Sequence, residues 1–223
     1  MSPGPLALVG GAEWQDGCSF DRELLEASGG GEVVVLPTAA AYEHPERAVE
    51  TATAWFAGLG ATVRGLMVLG RHDADDEQNA AAVAGARFVY IGGGSALHLR
   101  SVLKDSPVWH ALVSAWQDGA VLAGSSAGAM VLTDPMVDPR GGAFTVGLGL
   151  VAQLAVIPHY DTWSHDKARR THELAPQGLA VAGIDQRTAL ILDPDEGWRA
   201  AGAGRVHVWM GGAEAGLDVL PAL

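Results

Sequence analysis

Short, unbroken apolar runs that alternate with helical segments constrain the fold of this chain more than any other feature. Runs of this kind are typical of strands that are covered on both faces. The alternation of strand and helix predicts a parallel sheet with right-handed crossovers and helices on both faces. The predicted strands are residues 6–9, 33–36, 62–68, 88–91 and 120–123, and the predicted helices are residues 45–59, 76–84, 95–103 and 107–117.

The last third of the chain has a different pattern. Four short apolar runs lie close together there and are separated by turn sequences, which indicates antiparallel strands added to the sheet. These runs are residues 181–184, 188–192, 197–201 and 206–209. The sequence of 223 residues shows no repeat and no convincing linker, so we expect one α/β domain over residues 1–223, a three-layer sandwich.

The charge balance excludes some classes of partner. The chain has 14 Lys and Arg against 26 Asp and Glu, a formal net charge of −12. Nucleic acids and anionic membranes need a basic surface, so neither is expected as a partner. A small basic pocket remains compatible with this balance.

Cysteine usage and the N-terminal sequence bear on the compartment and on cofactors. Cys18 is the only cysteine, which excludes an intrachain disulfide and a multi-cysteine metal site. The first residues lack a basic segment followed by an apolar core, and no run reaches the roughly 20 apolar residues of a membrane span. We therefore expect a soluble cytoplasmic protein with no metal and no cofactor.

The segment Gly124-Ser125-Ser126-Ala127-Gly128 carries the strongest chemical signal. It follows a predicted strand and precedes a predicted helix, the context of a G-x-S-x-G nucleophile elbow. Only Ser126 has glycines two positions before and two positions after it. This register predicts Ser126 as a nucleophile, with the N–H of Ala127 stabilising an oxyanion.

Residues 92–94 form a second glycine-rich turn, directly after a predicted strand. Such a loop can present backbone N–H groups to a carbonyl or carboxylate. Adjacent parallel strands would bring it to the elbow, so Gly94 is predicted to share the oxyanion hole with Ala127.

A serine nucleophile needs a base and an acceptor that orients the base. His159 ends an apolar run after the elbow and is the best candidate for the base. Asp185 and Gln186 follow another strand and are candidates for the acceptor, with Asp138 as an alternative. The polar segment around His165 and His172 fits a solvated helix face better than a metal site.

Taken together, these motifs resemble the cyanophycinase and aspartyl dipeptidase (peptidase E) family of serine exopeptidases. The resemblance spans about residues 5 to 210 and implies a class I glutamine amidotransferase-like fold. It implies Ser126 as nucleophile, His159 as base, Gly94 and Ala127 as oxyanion donors, a small peptide substrate and a homodimer. The family's third catalytic residue is a Glu, and this chain has Gln186 at that position, beside Asp185.

The resemblance also bears on substrate recognition. Family members recognise an acidic or Asp-derived residue through arginines after the catalytic histidine. Arg169 and Arg170 lie in that region here, without a clean match in spacing, and Ser95 stands where the family often has Asn. These three residues are predicted to bind substrate.

The sequence leaves two other functions open. The Gln at position 186 is compatible with a catalytically impaired relative that binds a small molecule or a peptide. A small-molecule esterase or amidase is the other alternative, although an α/β-hydrolase would place its histidine nearer the C-terminus.

Overall fold

The computed structural model describes residues 2–140 and 143–222. Its strands are β1 Leu6–Val9, β2 Glu32–Leu36, β3 Thr62–Gly65, β4 Phe88–Ile91, β5 Val121–Ser125, β6 Thr133–Asp134, β7 Met136–Val137, β8 Phe144–Thr145, β9 Val151–Ala152, β10 Leu154–Ile157, β11 Ala180–Ile184, β12 Thr188–Asp193, β13 Gly197–Gly202, β14 Val206–Met210 and β15 Ala213–Ala215. The main sheet has seven strands in the order β13-β12-β1-β5-β4-β2-β3, and a second sheet has six in the order β15-β14-β11-β10-β6-β9. Strands β7 and β8 pair with each other.

Eight helices lie between these strands in the described part of the chain. They are α1 Phe20–Ala27, α2 Pro45–Gly58, α3 Arg71–Ala74, α4 Glu77–Ala84, α5 Ala96–Leu103, α6 Pro107–Gln117, α7 Ala127–Leu132 and α8 His165–Glu173. Short 3-10 turns cover Thr38–Ala40, Tyr160–Thr162 and Leu217–Val219. Side-chain oxygens cap several helices: the hydroxyl of Ser106, for example, accepts from the N–H of Trp109 at the start of α6.

The side chains of the main sheet alternate between two apolar layers. Leu6 and Leu8 of β1 pack with helices α4 to α7 and with strands of the second sheet. Ala7 and Val9 face the other way and pack with α1 and α2. The period of two along a strand places alternate residues on opposite faces. The three-layer arrangement predicted from the sequence is therefore confirmed.

The central strands are parallel and the late strands are not. Strands β1, β5, β4, β2 and β3 pair in parallel, whereas β12 runs antiparallel to β1 and β13 antiparallel to β12. The expectation that all four late runs join the main sheet was wrong for two of them. Strands β11 and β14 pair antiparallel with each other in the second sheet, where β11 also runs parallel to β10.

One expected strand is shorter in the structure, and some elements of the structure were not expected. The strand expected over residues 62–68 ends at Gly65, where a side chain would press against Val49 of α2. Helix α1 and the short strands between residues 133 and 152 were not expected. Within the described part of the chain, no helix combines the length and the apolar character needed to cross a bilayer.

The first turn of α1 contains a buried carboxyl group. Asp21 is fully buried, and its Oδ2 accepts a hydrogen bond of 2.8 Å from the indole N–H of Trp55. Burial raises the pKa of Asp21 to about 8, the Trp55 bond opposes that rise, and the nearby carboxylate of Glu13 adds to it. Asp21 is therefore largely protonated at neutral pH, and the fold holds a proton that the unfolded chain releases.

We predict that Asp21→Asn flattens the pH dependence of stability. A carboxyl whose pKa is raised by folding stabilises the fold fully below about pH 4. That contribution is lost as the pH rises toward the folded value of about 8. Asn keeps an acceptor for Trp55 and has no proton to lose. The free energy of unfolding, measured with urea at pH 5, 7 and 9, should rise in the variant relative to the wild type as the pH rises. Between pH 5 and pH 9 this difference should change by ~2 kcal/mol or more in favour of the variant.

Asp16 provides the matched control, because Asp16→Asn removes an exposed carboxylate from the loop that precedes α1. This variant should keep the wild-type slope. Equal slopes for Asp21→Asn and the wild type would contradict a raised pKa at Asp21.

Candidate active site

The Ser126 turn is strained and depends on two close backbone contacts. Ser126 has φ 50° and ψ −107°, a conformation that non-glycine residues rarely adopt, between the end of β5 and the start of α7. A side chain on Gly124 would overlap the backbone of Gly128, and one on Gly128 would overlap the carbonyl of Ile91. The two glycines therefore allow the strand, the turn and the helix to lie this close together.

The base predicted from the sequence lies at hydrogen-bond distance from this serine. Nε2 of His159 is 3.0 Å from Oγ of Ser126, and both residues are half-buried. His159 follows β10 with φ 51°, and its own N–H donates to the carbonyl of Gly10 over 2.7 Å. This arrangement of a hydroxyl and an imidazole is the one that proton transfer from a serine nucleophile requires.

Gln186 contacts the other side of the imidazole. Its Nε2 lies 3.0 Å from Nδ1 of His159. A histidine that accepts the serine proton at Nε2 carries its own proton on Nδ1, so an oxygen must face Nδ1. Rotation of the planar amide of Gln186 by about 180° exchanges its nitrogen for Oε1 and provides that acceptor.

Asp161 fixes the backbone next to this contact. Its Oδ1 accepts from the N–H of Gln186 over 3.0 Å. Because Asp161 belongs to the turn that begins at His159, this bond joins the loops that carry the base and its partner. Asp161 was not among the residues predicted for the site.

The structure brings neither of the other two candidate acceptors to His159. Oδ2 of Asp185 accepts from the N–H of Arg205 over 2.9 Å, so this side chain turns toward the neighbouring loop. Both carboxylate oxygens of Asp138 accept from Arg140, and these bonds lower the pKa of Asp138 to about 2. Of the three candidates, Gln186 is the one placed against the imidazole.

The glycine loop after β4 lies beside Ser126, as its place in the parallel sheet predicts. A Cβ atom on Gly93 would lie 3.3 Å from Cβ of Ser126. Gly94 has φ +134°, and a side chain there would overlap the backbone of Ala39. The N–H of Ala127 belongs to the first turn of α7, where amide groups lack partners within the helix. Gly94 and Ala127 as oxyanion donors remain a prediction.

The loop that follows β1 also contributes to the site, although it was not predicted to do so. The imidazole of His159 packs directly on Gly11, at φ +100°, and any side chain there would overlap the ring. The carbonyl of Gly11 accepts from the N–H of Arg187 over 2.8 Å. Glu13, in the same loop, bonds both to Gly93 and to Ser125. The pair Gly10-Gly11 directly after a predicted strand was the available signal.

Two cavities flank Tyr160, the residue after the base. One of about 290 Å³ is lined by Tyr160, Trp163 and His207 together with the carboxylates Asp161 and Asp185. The other has a volume of about 580 Å³, and its lining residues include Arg169 and His172. Burial lowers the pKa of His172 and so favours its neutral form. The ring of Tyr160 packs on Gly183, where a Cβ atom would overlap it.

The predicted substrate residues are mostly engaged elsewhere. The hydroxyl of Ser95 accepts from the N–H of His98 and caps α5. Arg169 pairs with Asp166 and Glu173 on the exposed face of α8, and Arg170 is exposed on the same helix. Of these residues, Arg169 alone lines one of the two cavities beside Tyr160.

The chain is similar to cyanophycinases over most of its length. The chain is 25% identical over 222 residues to the cyanophycinase of Synechococcus elongatus, covering 92% of this chain and 67% of that protein. A cyanophycinase of Geminocystis herdmanii is also 25% identical, with 91% of this chain and 79% of that protein covered.

A solved structure and a family model also match most of the chain. A crystal structure of a peptidase from an acI-B1 Actinobacterium superposes with a TM-score of 0.84 at 30% identity, covering 96% of this chain and 93% of that one. The family model of peptidase family S51 matches residues 6–197. This chain is therefore a peptidase hydrolase that belongs to peptidase family S51.

Proposed function

We propose that this peptidase is a serine exopeptidase or dipeptidase that cleaves small peptides through an acyl-enzyme on Ser126. The observation that carries the proposal is the 3.0 Å contact between Oγ of Ser126 and Nε2 of His159 on a strained turn. Strain of this kind is concentrated at functional sites because the surrounding structure must maintain it.

Each step of the proposed reaction uses a group that lies at this site. Oγ of Ser126 attacks the amide carbonyl while Nε2 of His159 takes its proton. The N–H groups of Gly94 and Ala127 hold the negative oxygen that develops. His159 then donates its proton to the departing amine, and a water molecule, activated by the same imidazole, hydrolyses the ester.

Gln186 gives this site a different electrostatic character from a triad with a carboxylate. An amide oxygen can orient the imidazole and hold its tautomer, but it adds no charge to stabilise the imidazolium. We infer that the reaction proceeds with an oriented but less stabilised base. The peptidases found among the relatives favour this interpretation over a protein that only binds its ligand.

The two cavities beside Tyr160 bear on substrate choice. Asp161 and Asp185 make the smaller cavity negative, which disfavours an acidic side chain there and favours a neutral or cationic one. An Asp-derived substrate residue remains a prediction that depends on Arg169 in the larger cavity.

A dipeptide screen tests the proposed activity. Substrates should include Asp-X and β-Asp-Arg, with Ser126→Ala and His159→Ala as variants. We expect each variant to lose at least ~10³-fold in kcat, because nucleophile and base act as one unit and removing either disables both. Wild-type turnover that survives in Ser126→Ala would show that another residue carries the activity.

The role of Gln186 is tested by Gln186→Glu. A carboxylate at this position would accept from Nδ1 of His159 and stabilise the imidazolium, so kcat should rise ~10-fold or more at neutral pH. Asp138→Asn is the matched control, because both oxygens of Asp138 bond to Arg140 instead of the imidazole, and it should leave kcat close to the wild-type value. Loss of activity in Asp185→Asn with no gain in Gln186→Glu would assign the acceptor role to Asp185.

A further inference from the structure

Glu13 lies between the Ser126 turn and the glycine loop, and neither the motifs nor the proposed mechanism uses it. We propose that Glu13 is a positioning residue whose carboxylate holds the loop of residues 92–95 against the segment 125–127, and thereby sets the geometry of the oxyanion hole. This inference rests on the proposed function, because it concerns the same site.

The carboxylate makes one bond to each side. Oε2 accepts from the hydroxyl of Ser125 over 2.8 Å, and Oε1 accepts from the N–H of Gly93 over 3.3 Å. Ser125 is fully buried at the end of β5, whereas Gly93 lies beyond the end of β4. Hydrogen bonds to a carboxylate are stronger than those between neutral groups. Glu13 thus continues the connection between the two strands past the point where their pairing ends.

The loop that Glu13 holds is the one that faces the nucleophile. Gly93 lies close enough to Ser126 that a Cβ atom on it would be 3.3 Å from Cβ of the serine. The next amide group, that of Gly94, is the predicted oxyanion donor. Oxyanion donors act at roughly 2.7–3.1 Å from the reacting oxygen, so a small shift of this loop would weaken the bond.

The conformation of the loop after β1 supports a specific placement of Glu13. Its neighbours Ala12 and Trp14 have φ 52° and φ 59°, a region that side chains other than glycine rarely occupy. Trp14 is buried, with its ring 5.1 Å from that of Tyr90. Strained residues on both sides of Glu13 persist only where surrounding contacts maintain them, and here they place the carboxylate between the two loops.

The contacts separate a positioning role from an acid–base role. Both oxygens of Glu13 accept from groups that do not react in the proposed mechanism. A Gln at position 13 could keep both bonds, since its Oε1 accepts from Gly93 and its NH₂ donates to the hydroxyl oxygen of Ser125. Positioning therefore requires the shape and the hydrogen bonds of this side chain, and its negative charge is dispensable.

The test compares Glu13→Ala, Glu13→Gln and Ser125→Ala with Glu26→Ala, an exposed glutamate of α1 that serves as the control. The first measurement is the second-order rate constant for modification by a fluorophosphonate probe, whose phosphonyl oxygen takes the place of the oxyanion. The second is hydrogen–deuterium exchange of residues 92–95. Thermal unfolding of each variant shows whether it is folded.

We expect Glu13→Ala to slow modification by ~10-fold or more and to speed exchange in residues 92–95. Glu13→Gln should stay within about threefold of the wild type, because it can make both bonds. Ser125→Ala should lie between them, since it removes one bond and leaves the contact to Gly93. This variant keeps the test informative if Glu13→Ala does not fold.

Three results would overturn the inference: a rate for Glu13→Ala equal to that of Glu26→Ala, unchanged exchange in residues 92–95, or Glu13→Gln as slow as Glu13→Ala. The last result would indicate that the charge of Glu13 matters more than its bonds. A wild-type protein that the probe does not modify would contradict the proposed function instead. The exchange measurement would still decide whether Glu13 holds the loop.

Discussion

The hydrogen bonds made by the end of β1 and the loop that follows it hold this site together. The carbonyl of Val9 accepts from the N–H of Ser126, that of Gly10 from His159, and that of Gly11 from Arg187. The nucleophile belongs to the main sheet, while the base and Gln186 follow strands of the second sheet. These backbone bonds therefore hold residues from both sheets at one reaction centre.

Close backbone approach explains why glycine recurs at this centre. Gly11 accommodates the imidazole, Gly183 accommodates the ring of Tyr160, and Gly124 with Gly128 lets the Ser126 turn pack on β4. In each case a single methyl group would displace a side chain or a peptide group. The proposed chemistry correspondingly uses backbone N–H groups to stabilise charge, and the side chains that it requires are few.

The sequence predicted the features that depend on local pattern. The apolar alternation predicted the central strands, and the spacing of Gly124, Ser126 and Gly128 predicted the turn that the structure contains. The pairing of distant segments could not be predicted from the sequence, because a short apolar run does not specify which sheet it joins. For the same reason, the contacts of Glu13 and Asp161 and the orientation of Asp185 became visible only in the tertiary structure.

The central claim is that the imidazole of His159 activates Ser126. It is tested most directly by treating the folded protein with a fluorophosphonate and locating the adduct by peptide mass mapping. We predict one adduct per chain, on Ser126, and its loss in His159→Ala. An adduct on another serine, or a Ser126 adduct that forms equally fast in His159→Ala, would contradict the account.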